Sequence, residues 1–207
     1  MTTLPPIEFI FDFGSPNAYL ALPPLRDLAA RHGTTVTLTP ALLGGIFKAT
    51  DNQSPMMAFS AIKGKLAYEA LERDRFIQKH GLTKFRINPH FPVNTLMAMR
   101  GLVAAQHLGI EEPYVRAVLA AMWEDGIKMD DPEIFVGTLN AAGLDGMAIA
   151  QKSQEQAIKD ELAANTTRAV ERGVFGIPSF FVGEELFFGK ERLTQIDELL
   201  TSMSGGS

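Results

Sequence analysis

The first forty residues constrain the fold more than any other stretch. Ile7–Phe13, IEFIFDF, is an apolar run with few polar members that stops at Gly14, the pattern of a buried strand. Ser15 then stands where a helix N-cap belongs, and Pro16 where a first helical residue belongs. Tyr19, Leu20, Leu22, Leu25, Leu28 and Ala29 give the following helix one apolar side, with Pro23 and Pro24 near its start and Gly33 at its end. The alternation in TTVTLTP supplies a second strand. A strand, a helix and a strand in direct succession predict a parallel pair with a right-handed crossover, hence an α/β domain.

The middle of the chain changes character. From about Pro55 to Arg172 the pattern is helical, broken by NPHFPVN and by Gly or Pro at joints. Asp131-Pro132-Glu133 combines a capping acid, a Pro and a first-turn acid, and predicts a helix start. Asn94 reads as the N-cap for TLMAMRGL. Beyond Gly173 strands return: Ser179–Val182, a Gly183-Glu184 turn and Glu185–Phe188 predict a hairpin, and a last helix runs from Glu191 to about Met203. The expected organisation is a small α/β domain formed by residues 1–45 and 173–207, interrupted by a helical insertion over 46–172. A chain of 207 residues is long enough for that arrangement.

Composition narrows the function. A net charge of -5 gives no reason to expect nucleic acid or an anionic membrane as partner. No apolar run approaches the ~20 residues that span a bilayer, and MTTLPPIEF lacks the basic segment and apolar core of a secretion signal, so a cytoplasmic location is expected. With no cysteine there is no disulfide, no thiolate metal site and no redox pair carried by the protein. His32, His80, His90 and His107 lack ligand spacing, and no metal site is expected. The terminal SGGS is flexible in composition.

Ser15-Pro16-Asn17-Ala18 occupies the strand–turn–helix position at which thioredoxin-like proteins carry Cys-Pro-x-Cys, with Ser15 and Ala18 in place of the cysteines. Ser15 has no G-x-S-x-G setting and no recognisable His–acid pair, so a hydrolase nucleophile is unsupported. It reads either as an ordinary N-cap or as a hydroxyl that, with free N–H groups at a helix N-terminus, holds an anion. Pro178 sits directly before a strand, where the X-Pro bond is a trans entry or a cis turn. A cis bond would leave the Ile177 N–H and C=O free at a sheet edge, open to a peptide backbone pairing as a short added strand.

The segments FDFGSPNAYLA, LLGGIFKATDNQSP, FPVNTLMAMRG and RGVFGIPSFFVGEELFFGKERL occur in order and with matching spacing. In these the chain resembles the 2-hydroxychromene-2-carboxylate isomerases, relatives of kappa-class glutathione transferases within the DsbA-like thioredoxin superfamily. The resemblance runs over nearly the whole chain. It implies a thioredoxin-like domain with a helical insertion, a homodimer, and glutathione as cofactor; the sulfur missing from the chain is then supplied by a tripeptide. Ser15 becomes the donor that stabilises the thiolate. A hydrogen bond to a charged sulfur contributes ~1.5–3 kcal/mol, which at ~1.36 kcal/mol per unit lowers a thiol pKa of ~8.5 by roughly 1–2 units, and the helix N-terminus adds ~0.3–1 kcal/mol.

The resemblance also assigns the remaining site residues. The backbone of Ile177, beside Pro178, pairs with the cysteinyl part of glutathione. Where the family shows a small or amide residue followed by Asp-Arg, this chain has Lys190-Glu191-Arg192; Glu191 keeps the acid that meets the γ-glutamyl amine, with one more methylene. Lys190 either meets the γ-glutamyl carboxylate or points to water. Lys48 is placed near the substrate as partner for a small aromatic carboxylate, or is a solvated loop lysine. Asn52 and Gln53 are placed near the oxygens of the substrate, or build a turn. The implied reaction interconverts 2-hydroxychromene-2-carboxylate and trans-o-hydroxybenzylidenepyruvate in naphthalene-type catabolism. A kappa-like transferase and a non-catalytic protein of the same fold remain alternatives; a disulfide oxidoreductase is excluded by the absence of cysteine.

Overall fold

A computed structural model describes residues 4–205. The chain opens with β1 (Ile7–Phe11), α1 (Pro16–Arg31) and β2 (Val36–Pro40). Eight helices follow among the described residues: α2 (Leu43–Thr50), α3 (Pro55–Ala58), α4 (Lys65–His80), α5 (Leu96–His107), α6 (Glu111–Trp123), α7 (Pro132–Ala141), α8 (Gly146–Lys152) and α9 (Gln156–Glu171). Then come β3 (Ser179–Val182), β4 (Glu185–Phe188), a 3₁₀ turn over Lys190–Arg192, and α10 (Leu193–Gly205). The strands form one mixed sheet in the order β2-β1-β3-β4. β1 runs parallel to β2, with Ile7 opposite Val36, and antiparallel to β3, with Phe9 opposite Phe180. β3 and β4 make the expected hairpin, Val182 opposite Glu185, with Gly183 at positive φ in its turn. This is a thioredoxin-like α/β domain with a helical insertion.

The core grows from the apolar strand residues. Phe9, Phe11 and Phe13 are fully buried and meet edge to face, with centroids 5.4 and 5.0 Å apart, while Phe180 packs on Phe9 at 4.7 Å. Across the sheet–helix boundary Phe13 touches Tyr114 of α6. The Tyr114 hydroxyl donates to Ala98 O on α5 at 2.7 Å, and Gly101 lets the two helices close in: a Cβ there would lie 2.2 Å from that hydroxyl.

Several boundaries differ from the sequence reading, each for a local reason. β1 ends at Phe11 because Asp12–Ser15 turn, so Phe13 is buried but not a strand residue. Pro23 and Pro24 lie in the middle of α1, which continues through them. Helix begins earlier than Pro55: LGGIFKAT is α2, despite its two glycines, because other segments hold its start. The Leu43 N–H donates to Asp12 Oδ2 at 2.8 Å and the Leu42 N–H to Thr166 Oγ1 at 3.0 Å. Thr95, not Asn94, is the residue preceding α5; Asn94 Oδ1 accepts from the Leu96 N–H at 3.0 Å from one position further out. Asp131 caps α7 as expected, accepting from the Glu133 and Ile134 N–H groups. Of the terminal SGGS, Ser204 and Gly205 continue α10, and the rest lies outside the described residues.

Candidate active site at the Ser15 turn

The turn between β1 and α1 is held from several sides. The Ser15 N–H donates to Asp12 O at 3.1 Å, and the Gly14 N–H to Asp12 Oδ1 at 2.8 Å. The indole N–H of Trp123, the chain's single tryptophan, donates to Phe13 O at 2.9 Å. Ser15 itself is 3% exposed. Its Oγ accepts from the Ala18 N–H at 3.2 Å, so the N-cap reading is correct. It also donates to Ile177 O at 2.9 Å.

That second bond joins the two segments singled out in the sequence. The Ile177-Pro178 peptide is cis, and it lies against Ser15. One expectation needs correction: the Ile177 carbonyl is not free, because the Ser15 hydroxyl occupies it. The Ile177 N–H and the Asn17 N–H make no hydrogen bond among the described residues. To reach a thiolate the Ser15 hydroxyl must leave Ile177 O, so the charged bond it forms is partly offset by a neutral one given up.

A backbone bond carries the site onward. Pro178 O accepts from the Gly189 N–H at 2.9 Å, placing the Gly189–Arg192 turn beside the Pro178 loop. Gly189 has φ +97, and a Cβ there would stand 3.1 Å from Glu191 Oε2. Lys190 is 4% exposed, so it does not point to water. Its ammonium bonds the Glu191 carboxylate and lies 5.3 Å from the ring centroid of Phe76 on α4. Lys190 and Glu191 line a cavity of about 480 Å³ between α1, α4 and the start of α10. Its wall carries lysines and arginines in equal number with carboxylates, and Ser15, Ile177 and Arg192 are not part of it. Arg192 is exposed.

The substrate-side residues sit elsewhere again. Lys48 is exposed on α2. Asp51, at φ 55, ends that helix, and the Asn52 amide donates to Thr50 Oγ1 at 2.9 Å. Asn52 and Gln53, with Asp51 and Ala58, line an open cleft of about 520 Å³. Lys190 with Glu191 and Asn52 with Gln53 therefore line separate cavities, and Ser15 and Ile177 line neither. Three of the four histidines are engaged individually, His32 with Asp197 and His107 with Glu161, each at 2.7 Å, and His80 against Phe76.

Sequence reading missed Asp12, which is 1% exposed and accepts three hydrogen bonds, from the Gly14 N–H, the Leu43 N–H and the Thr95 hydroxyl. Burial pushes its carboxyl above the ordinary carboxylate range, against the pull of those three donors. The available signal was an acid between two aromatic residues, FDF, at the end of an apolar run just before Gly-Ser.

Residues 6–201 match the family model described as a DSBA-like thioredoxin domain. The 2-hydroxychromene-2-carboxylate isomerase of Sphingobium xenophagum is 30% identical over 196 residues, 94% of this chain and 97% of that protein; the protein of the same name from Pseudomonas putida is 29% identical over 197 residues, 94% and 93%. Glutathione S-transferase kappa 1 of Caenorhabditis elegans is 27% identical, covering 97% of this chain and 92% of its own. A solved 2-hydroxychromene-2-carboxylate isomerase structure superposes with a TM-score of 0.81 at 27% identity, over 96% of both chains. A probable DsbA oxidoreductase from Streptomyces coelicolor, at 20% identity and TM-score 0.73 over 98% and 91%, shares the fold. On this evidence the chain belongs to the DSBA-like thioredoxin family, in the group that holds the 2-hydroxychromene-2-carboxylate isomerases and kappa-class glutathione transferases.

Proposed function

We propose that the protein is a glutathione-dependent isomerase interconverting 2-hydroxychromene-2-carboxylate and trans-o-hydroxybenzylidenepyruvate. The observation that carries this reading is the Ser15 hydroxyl, set at a helix N-terminus against the cis-Pro178 loop in a chain without cysteine. A hydroxyl donor in the place of a redox thiol suits stabilising a sulfur anion that comes from outside. The residues fit the tripeptide chemically. The Ile177 N–H offers a backbone donor at the loop. The cavity wall at Lys190 and Glu191 mixes both charges, as an α-amino acid terminus requires.

When bound, glutathione supplies a thiolate that adds reversibly to the conjugated carbon, so that the bond can rotate and the sulfur leave with no net redox change. Ser15 turns its O–H from Ile177 O towards that charge, and the Asn17 N–H at the helix start supports it. Glu191 receives the γ-glutamyl ammonium and Lys190 the γ-glutamyl carboxylate. Lys48 meets the substrate carboxylate, and Asn52 and Gln53 donate to its oxygens. A homodimer is supported by the exposed apolar side chains on and before α4, Met56, Met57, Ile62, Leu66, Tyr68 and Leu71.

The deciding experiment incubates the purified protein with the hydroxychromene acid, with and without glutathione, and follows the absorbance of the open-chain product. Product only with glutathione supports the proposal; equal rates in both arms refute it. Similarity to the kappa-class enzymes favours conjugation as the second reading, in which the sulfur stays on the product. Mass analysis of the product separates the two.

A further inference from the structure

Asp12 touches neither the Ser15 hydroxyl nor any cavity assigned above, yet its carboxylate meets three separate segments. Oδ1 accepts from the Gly14 N–H at 2.8 Å and from the Thr95 hydroxyl at 2.7 Å, and Oδ2 from the Leu43 N–H at 2.8 Å. Gly14 belongs to the turn that presents Ser15, Leu43 begins the helix that carries Lys48, and Thr95 precedes α5. The packing is as tight as the bonding: a Cβ on Gly14 would lie 3.2 Å from Thr95 Cγ2 and 3.3 Å from Asp12 Oδ1.

Three donors converging on one buried side chain call for an acceptor with no proton of its own. An amide of the same shape would turn N–H₂ towards at least one of them. An apolar residue would leave all three unpaired. A buried carboxylate is an expensive way to fill space, and the three donors it collects offset that cost.

We propose that Asp12 is a positioning residue, whose carboxylate holds the Ser15 turn and the N-terminus of α2 in one geometry so that the sulfur-stabilising hydroxyl and the Lys48 helix address the same bound substrate. This rests on the glutathione reading above. It differs from a charge effect in sign. Replacing a carboxylate by a neutral amide, by itself, makes a neighbouring thiolate easier to form; loss of Ser15 placement makes it harder.

The test compares the unmodified protein with Asp12→Asn and Thr95→Val, the second removing one donor and leaving the acid in place. Four quantities are read: turnover by initial rates, glutathione affinity by calorimetry, the pH titration of bound thiolate absorbance, and the emission of Trp123, which is bonded to Phe13 O in the same turn. The expected result is affinity within about threefold of the unmodified protein, turnover lower by about 10- to 100-fold in Asp12→Asn and by about 3- to 10-fold in Thr95→Val, as for displaced catalytic groups. The thiolate titration should move to higher pH and the Trp123 emission should shift in both. Unchanged turnover, or a titration that stays or moves to lower pH, overturns the proposal. If Asp12→Asn does not fold, Thr95→Val decides by the same criteria. If the unmodified protein ignores glutathione, the glutathione reading fails and this proposal falls with it; glutathione binding and turnover by the unmodified protein, with turnover and titration unmoved in both variants, overturns this proposal alone.

Discussion

Replacing Ser15 by Ala tests the proposed chemistry most directly, and the structure supplies both expected magnitudes. In the free protein the hydroxyl makes two bonds, from the Ala18 N–H and to Ile177 O. Losing an N-cap costs about 1 kcal/mol, and losing a neutral bond to a buried carbonyl ~0.5–1.5 kcal/mol. Together these give about 1.5–2.5 kcal/mol, which for a chain of this size lowers the melting temperature by roughly 5–8 °C. The effect on sulfur is a difference. The charged bond, ~1.5–3 kcal/mol, replaces the neutral bond to Ile177, ~0.5–1.5 kcal/mol, so the net gain is about 1–1.5 kcal/mol. That is about one pKa unit, and with the helix N-terminus it brings a thiol from ~8.5 to about 7. Ser15→Ala should therefore raise the bound thiol by about one unit and cut turnover about tenfold, read by thiolate absorbance against pH and by initial rates. Affinity for glutathione should stay within a few fold. A lower melting point with an unmoved thiolate titration would show that Ser15 only caps a helix, and the reasoning would be wrong.

Other substitutions probe the flanking groups. Lys190→Met keeps the buried volume over Phe76 and removes the cation; glutathione should bind about tenfold more weakly in calorimetry, as for a lost charged partner, and unchanged affinity would place the tripeptide elsewhere. Gly189→Ala forces a side chain into φ +97 and against Glu191; a loss of about 1 kcal/mol in denaturant stability together with weaker glutathione binding is expected, and a neutral result would remove the need for that backbone shape. Lys48→Ala should raise KM for the acidic substrate and leave a neutral electrophile unaffected; equal loss with both would make its role structural. Asp12 has a folded-state pKa above its ordinary value, so its contribution to stability is fully present below the unfolded value and is lost as pH rises through the folded one. The unfolding free energy of the protein relative to Asp12→Asn should accordingly grow on going from about pH 7 to about pH 4.5, and denaturant titrations showing the opposite trend would refute the assignment.

What the sequence disclosed was whatever neighbouring residues decide among themselves. The Ser15 cap, the Asp131 cap and the Ser179–Phe188 hairpin follow from signals a few residues long, and all three stand in the structure. The approach of the Pro178 loop to Ser15 appears only in the structure, since no local rule joins residues so far apart. Where partners are distant and unrecognised, the reading failed. α2 was invisible because Gly44 and Gly45 speak against a helix and its start is held by Asp12 and Thr166. Lys190 reads as a partner for the γ-glutamyl carboxylate or as a solvent lysine, and it is Phe76, on another helix, that helps cover it and removes the second reading. Asp12 gave a signal, an acid where burial was certain, but its three donors lie at Gly14, Leu43 and Thr95.

The way α2 is anchored has a consequence for local opening. The helix is two turns long, contains adjacent glycines near its start, and buries one side chain, Ile46. Its footing is lent by Asp12 and by Thr166, so its own residues contribute little to keeping it closed. Amide exchange there should outpace that of α5, and this one segment can fray while the sheet stays intact.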